Sequence, residues 1–140
     1  MKAITIYADG GSRGNPGPAA SGAVLLDASG NLIREVGRNL GIATNNVAEW
    51  TALVIALEAA GELGATTLRI RMDSELVVKQ VLGTYRVRHP ALIPLHAHVR
   101  RLLASFEQYD IAHVPRAENA AADAVVNRLL DARRRDHAAP

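Results

Sequence analysis

The sequence predicts an α/β domain with a mixed five-stranded sheet flanked by helices, in the order βββαβααβα. Three observations carry this. Period-two alternation recurs within the first forty residues, the pattern turns helical at Asn46, and strands then alternate with helices to the end. No internal repeat or low-complexity linker interrupts the chain, and 140 residues are enough to bury one hydrophobic core. Residues 1–135 are therefore expected to form a single domain, with 136–140 a frayed tail.

Each element has its own reason. From Ala3 to Asp9, Ile4, Ile6 and Ala8 share one face and Thr5, Tyr7 and Asp9 the other, which reads as a first strand. Its end is unusual, because "YADGGSRGNPGPAASG" passes from an alternating run through a carboxylate into a stretch crowded with Gly and Pro. Ala23 to Leu26 and Leu32 to Leu40 read as two more strands, joined by a hairpin at Asp27–Asn31 whose Gly30 suits a positive φ. From Asn46 to Leu63 a helix is predicted, with Glu49, Leu53, Ala56, Leu57 and Ala60 on one stripe, Thr44 or Asn45 as its N-cap and Gly64 closing it.

Leu68, Ile70 and Met72 alternate with Arg69, Arg71 and Asp73, giving a fourth strand that also ends on a carboxylate. Ser74 caps a short helix, Glu75 to Val81, and the polar segment "TYRVRHP" follows. A helix from Leu92 to Phe106, a strand from Tyr109 to Val114 and a last helix from Asn119 to about Arg134 complete the chain. Helical crossovers should set the fourth and fifth strands parallel to the first.

Composition narrows the chemistry. Without cysteine there is no disulfide, thiolate metal site or Cys nucleophile, so any metal must sit on oxygen or imidazole. The net charge is only +2, yet all but two of the 16 basic residues are Arg, a mild pointer to phosphate. The segment "MKAITIYADG" turns polar too early for a signal peptide and no apolar run is long enough to span a bilayer, so a cytoplasmic protein without membrane contact is expected.

Asp9 and Asp73, ending neighbouring parallel strands, should emerge at one edge of the sheet, where α/β proteins bind ligands. Glu49 lies on an apolar helical stripe, and Asp123 shares a face with Val126 and Leu130. Taken singly, each has a bland reading as a turn, cap or paired residue. Together, four inward carboxylates repel one another unless counter-charge arrives. A divalent cation is the simplest supplier, and ligation by oxygen alone suits Mg²⁺ or Mn²⁺ and hence phosphoryl transfer.

"DGGSRGNPGPAASG", "TNNVAEWTALVIAL", "MDSELVV" and "HVPRAENAAADAVVN" resemble, in order and spacing, the signature segments of type 1 ribonucleases H. The resemblance covers nearly the whole chain. It implies a metal-dependent endonuclease that hydrolyses the RNA strand of RNA/DNA hybrids, leaving 5′-phosphate and 3′-hydroxyl ends. Asp9, Glu49, Asp73 and Asp123 match the family's catalytic, metal-binding carboxylates, with two Mg²⁺ per site when substrate is bound and Mn²⁺ as a substitute. Gly10, Gly11, Ser12, Asn15, Thr44, Asn45, Asn46 and Ser74 fall where the family contacts the hybrid, whose 2′-hydroxyls and phosphates small residues and amides can approach.

The chain departs from the family pattern in two places. Where well-known members carry a basic, Trp-containing protrusion, it has only "GTYRVRHP", from which Tyr85, Arg86 and Arg88 can offer a reduced contact to the DNA strand. Where many members have a mobile His, it has "PRAEN", leaving Arg116 as the candidate for the scissile phosphate, with His113 assigned to the strand. Two other readings stay open: a silent hybrid-binding module on the same fold, and a nuclease or strand-transfer enzyme acting on DNA. Nothing in the sequence calls for an oligomer or a protein partner, so a monomer is expected.

Overall fold

A computed structural model describes residues 2–138. Five strands, β1 (Ala3–Ser12), β2 (Gly17–Leu26), β3 (Leu32–Ala43), β4 (Thr67–Met72) and β5 (Gln108–His113), form one sheet in the order β3-β2-β1-β4-β5. The first three strands are an antiparallel meander, while β4 runs parallel to β1 and β5 parallel to β4, as helical crossovers allow. Four helices complete the fold: α1 (Asn45–Glu62), α2 (Glu75–Val81), α3 (Ile93–Leu103) and α4 (Ala120–Ala138).

Strand parity sorts the two layers. Ile4, Ile6 and Ala8 of β1, with Ala23 and Leu25 of β2, join Leu68, Ile70 and Met72 in the main core beneath α1, α2 and α3. Ala20, on the opposite face of β2, packs with Val126 and Leu130 of α4. Because α1 has the sheet on one side and α3 on the other, every residue from Trp50 to Leu57 is buried. The single stripe expected from sequence was therefore too narrow. Trp50 is fully buried, its indole N–H donates to Gln80 Oε1 at 3.2 Å, and the ring meets His96 edge-on at 5.5 Å.

Several boundaries differ from the sequence reading. β1 does not stop at Asp9 but runs on to Ser12, and β2 begins at Gly17 rather than Ala23. The Gly-rich stretch is thus paired strand, with Gly10 opposite Ser21 and Gly11 opposite Ala20, and only residues 13–16 turn. β3 extends to Ala43. α3 ends at Leu103, short of Phe106, because the chain turns there, with the Ser105 hydroxyl donating to Leu102 O at 2.6 Å, and Phe106 enters the core. A 3₁₀ turn at Arg116–Asn119 precedes α4, which continues through residues 136–138 where a frayed tail was expected; residues 139 and 140 lie outside the described residues.

The seat of α4 is made by two glycines that face each other across β2 and β3, Gly22 and Gly37. A Cβ on Gly22 would lie 2.8 Å from Val125 Cγ1, and one on Gly37 would lie 2.7 Å from Leu129 Cδ1. The helix therefore rests almost on the sheet backbone, and that depth carries Asp123, in its first turn, to the sheet edge.

Candidate active site

The last matched pair of β1 and β4 is Ala8 with Met72, so Asp9 and Asp73 are the next residues along two parallel neighbours. Both lie just past the end of the β1–β4 ladder, so they come to one edge as the sequence predicts, although only Asp73 ends its strand and Asp9 stays paired with Gly22 of β2. Odd positions of β1 face α4, which turns Asp9 toward Asp123. α1 reaches the same edge from the other face. The Ser21 hydroxyl donates to Ala48 O at 2.6 Å, and a Cβ on Gly10 would sit 2.2 Å from the Ala48 carbonyl. That contact, possible only for glycine, fixes the backbone immediately before Glu49.

Asp9, Glu49, Asp73 and Asp123 line one cleft of about 350 Å³, so all four predicted carboxylates converge. Burial, aided by the charge of Asp73 and by the hydrogen bond and charge of Asp123, pushes Asp9 up to about 8. Glu49 is raised as well, chiefly by burial; a hydrogen bond from the Ser74 hydroxyl opposes the rise and the charge of Asp73 adds to it. Ser74 also caps α2, accepting from Val77 N at 3.3 Å, so one hydroxyl ties two elements to the cleft. The Asn127 amide donates to Asp123 Oδ2 at 3.2 Å.

The donor set is entirely carboxylate oxygen, and Glu49 Oε2 is buried without a hydrogen-bond partner. A hard divalent cation suits both features. As the side chains stand, no three His, Cys, Asp or Glu among the described residues form a finished metal shell. Asp123 and Asp73 stand close enough to Asp9 to add, by hydrogen bonding and charge, to the rise that burial imposes on it.

Of the predicted contact residues, Gly10, Gly11, Ser12, Asn45, Ser74 and Arg116 line the cleft. Asn15, Thr44 and Asn46 do not. Asn15 Oδ1 accepts from Asn45 N at 3.1 Å, and the Thr44 hydroxyl accepts from Val47 N at 3.2 Å as the N-cap of α1. Asn45 Oδ1 accepts from Ser12 N at 2.8 Å, so what Asn45 has left to offer a ligand is its NH₂ group. Asn46 is exposed in the first turn of α1.

Tyr85, Arg86 and Arg88 line a separate cavity with His96 and Arg100, on a loop of residues 82–92 that contains no helix. That loop is pinned where Gln80 Nε2 donates to Arg86 O at 3.3 Å. His113 is the last residue of β5, exposed and outside the cleft.

Sequence reasoning missed three polar residues here. Arg13 lines the cleft and pairs with Asp131 at 2.7 Å. Asn127 lies one turn beyond Asp123, and fully buried Asn119 donates to Asp73. Spacing alone could have flagged Asn127. Arg13 sits in the Gly/Pro-rich stretch, where nothing in the sequence marks it out, and Asn119 reads only as a helix start.

The fold and sequence have relatives among known proteins. Residues 7–129 match the reverse transcriptase-like family. The chain is 48% identical over 128 residues to a ribonuclease HI of Halobacterium salinarum, covering 91% of this chain and 64% of that protein. It is 45% identical over 130 residues to a bifunctional protein of Mycobacterium tuberculosis, covering 92% of this chain and 36% of that one. It thus spans less than two thirds of these relatives' own length.

Among solved structures, the N-terminal ribonuclease H domain of the mycobacterial protein has a TM-score of 0.94 at 42% identity, covering 99% of this chain and all of that one. LC11 ribonuclease H1, solved in complex with an RNA/DNA hybrid, has a TM-score of 0.87 at 41% identity, covering 91% of this chain and 96% of that one. The Halobacterium ribonuclease H1 has a TM-score of 0.89 at 46% identity, covering 92% of this chain and 98% of that one. With a family match over residues 7–129 and solved ribonuclease H structures aligned over 96% or more of their own length at 41–46% identity, the chain belongs to the type 1 ribonuclease H family, prokaryotic type.

Proposed function

We propose that this protein is a divalent-metal-dependent endoribonuclease that cuts the RNA strand of RNA/DNA hybrids and leaves 5′-phosphate and 3′-hydroxyl ends. The observation that carries the reading is the convergence of Asp9, Glu49, Asp73 and Asp123 in one cleft, with Asp9 pushed up to about 8 by burial and by its neighbours. A site in that state gains most from a ligand that brings positive charge. The four carboxylates would hold two Mg²⁺, or Mn²⁺ in its place. When bound, the metal pair supplies an activated water and charge stabilisation for the leaving 3′ oxygen.

The chain's own residues do the rest. Arg116 and Arg13, on the rim, offer donors to a phosphodiester that the carboxylates alone would repel. The Asn45 NH₂, the Ser12 hydroxyl and the narrow Gly10–Gly11 backbone suit an approach to RNA 2′-hydroxyls, which duplex DNA lacks. LC11 ribonuclease H1, in its complex with an RNA/DNA hybrid, supports the substrate class. No helix among the described residues is long and apolar enough to cross a membrane. We take the active form to be a monomer.

The test is cleavage of an end-labelled hybrid in MgCl₂, MnCl₂ or EDTA, beside single-stranded RNA, duplex DNA and Asp9→Asn. Metal-dependent cutting of only the hybrid's RNA strand, lost in the variant, is expected. Folded protein that binds the hybrid and cuts nothing in either metal would refute the proposal.

A further inference from the structure

Asn119 closes the 3₁₀ turn ahead of α4 and is completely buried, although it is an uncharged amide in a segment of small and polar residues. Its Nδ2 donates to Ala8 O at 2.9 Å and to Asp73 Oδ1 at 3.2 Å. Both partners can only accept, so the NH₂ end must face them whichever way the amide is first drawn. The other end, Oδ1, is buried with no partner. Leaving a buried carbonyl unpaired costs stability, so the residue is a poor choice for holding the fold alone. It does one thing that an apolar residue of the same shape cannot: it delivers two donors to the ends of two adjacent strands.

Those ends are the two that matter. Ala8 precedes Asp9 on β1, and Asp73 follows Met72 on β4. Asp73 lies past the last β1–β4 pair, where the sheet register stops holding the chain. One of its two carboxylate oxygens, Oδ1, accepts from Asn119, and the side chain lines the cleft.

From this we infer that Asn119 is a positioning residue: it fixes the Asp73 carboxylate for a divalent cation without touching cation or substrate itself. The inference rests on reading the cleft as a metal-dependent site. Partners that orient a ligating carboxylate in this way are commonly worth 10- to 100-fold in metal affinity.

The test is titration of MnCl₂ into the metal-free protein, with unbound Mn²⁺ followed by electron paramagnetic resonance. Asn119→Leu keeps the volume, removes both donors and abolishes the orphaned oxygen; Asn119→Ala is the second variant. Expected are a Tm for Asn119→Leu within a few degrees of wild type, Mn²⁺ binding about 10- to 100-fold weaker in both variants, and an unchanged KM for the hybrid. In an Asp73→Asn background the same substitution should cost less than about threefold, because the carboxylate it orients is gone.

Mn²⁺ affinity within twofold of wild type, or an equal loss in the Asp73→Asn background, overturns the inference. So does loss of folding in both variants, which would make Asn119 a structural residue. The ribonuclease reading fails separately: wild type that binds Mn²⁺ and cuts no hybrid defeats that reading, while weaker Mn²⁺ binding in the variants still upholds Asn119.

Discussion

Removing the charge of Asp9 should stabilise the metal-free protein, and the gain should grow with pH. An ordinary Asp titrates near 3.8, whereas burial and the neighbouring Asp73 and Asp123 push this one up to about 8. Between those values the folded state holds a proton that the unfolded chain has released, so stability falls as pH rises. The favourable contribution is fully present below about pH 4 and lost as pH passes about 8. Each unit is worth about 1.4 kcal/mol, so at neutral pH the penalty has an upper limit of about 4 kcal/mol, and water entering the open cleft brings it to roughly 2.

Asp9→Asn removes that titration. Urea denaturation in EDTA at several pH values between about 4.5 and 8.5 should show the two proteins close at the acid end. The variant should pull ahead by roughly 2 kcal/mol or more at the alkaline end. Adding MgCl₂ should reverse the order, since the cation binds the ionised carboxylates and stabilises wild type increasingly with pH. A difference between the proteins that does not change with pH in EDTA would refute the reasoning, because the carboxylates would then not be crowded.

Other outcomes follow from particular contacts. Gly10→Ala places a Cβ 2.2 Å from the Ala48 backbone, which cannot move aside, whereas Gly37→Ala meets at 2.7 Å the movable end of Leu129. Urea titrations should therefore show a loss of about 3 kcal/mol or more for the first and about 1 kcal/mol for the second. Arg116→Ala should lower kcat on the hybrid by about tenfold or more while moving Tm by less than about 2 °C, because its exposed side chain serves the rim of the cleft. Arg86→Ala and Arg88→Ala should each weaken hybrid binding and lower the slope of log affinity against log salt by about one, if each neutralises a phosphate.

The carboxylates were legible because a charge on an apolar stripe, or at the end of a parallel strand, is conspicuous under the simplest patterning rules. Glu49 and Asp123 stood out against Leu53, Ala56 and Leu57 and against Val126 and Leu130. The parallel run of β4 and β5 with β1 followed from the helical crossovers. What escaped was set by packing between distant segments. Gly10 and Gly11 lay beyond a strand read as ending at Asp9, but they are strand residues, and at Gly10 the space is taken by the backbone of α1, some forty residues away. Asn119 looked like a helix start because its partners, Ala8 and Asp73, lie on separate strands that only the folded sheet brings together. Asn15 and Thr44 have residue types suited to substrate contact, yet their oxygens are spent on the N-terminus of α1.

The location of the crowded carboxylates explains why the fold can tolerate them. Asp9 stands on the central strand, paired with β2 on one side and one residue past its last partner on β4 on the other. α1 is pinned to β1 and β2 through Ala48, and α4 is seated on glycines of β2 and β3. Repulsion among Asp9, Glu49, Asp73 and Asp123 therefore cannot be relieved by drawing any one element away without opening a core. A protein that could relax would spread the charges, and a cation would have to gather them again at a cost in binding. Here the gathering is done on folding, so the strain remains available to whatever cation binds, and the rigid surroundings of Ala48, Gly22 and Gly37 serve the chemistry as directly as the acids do.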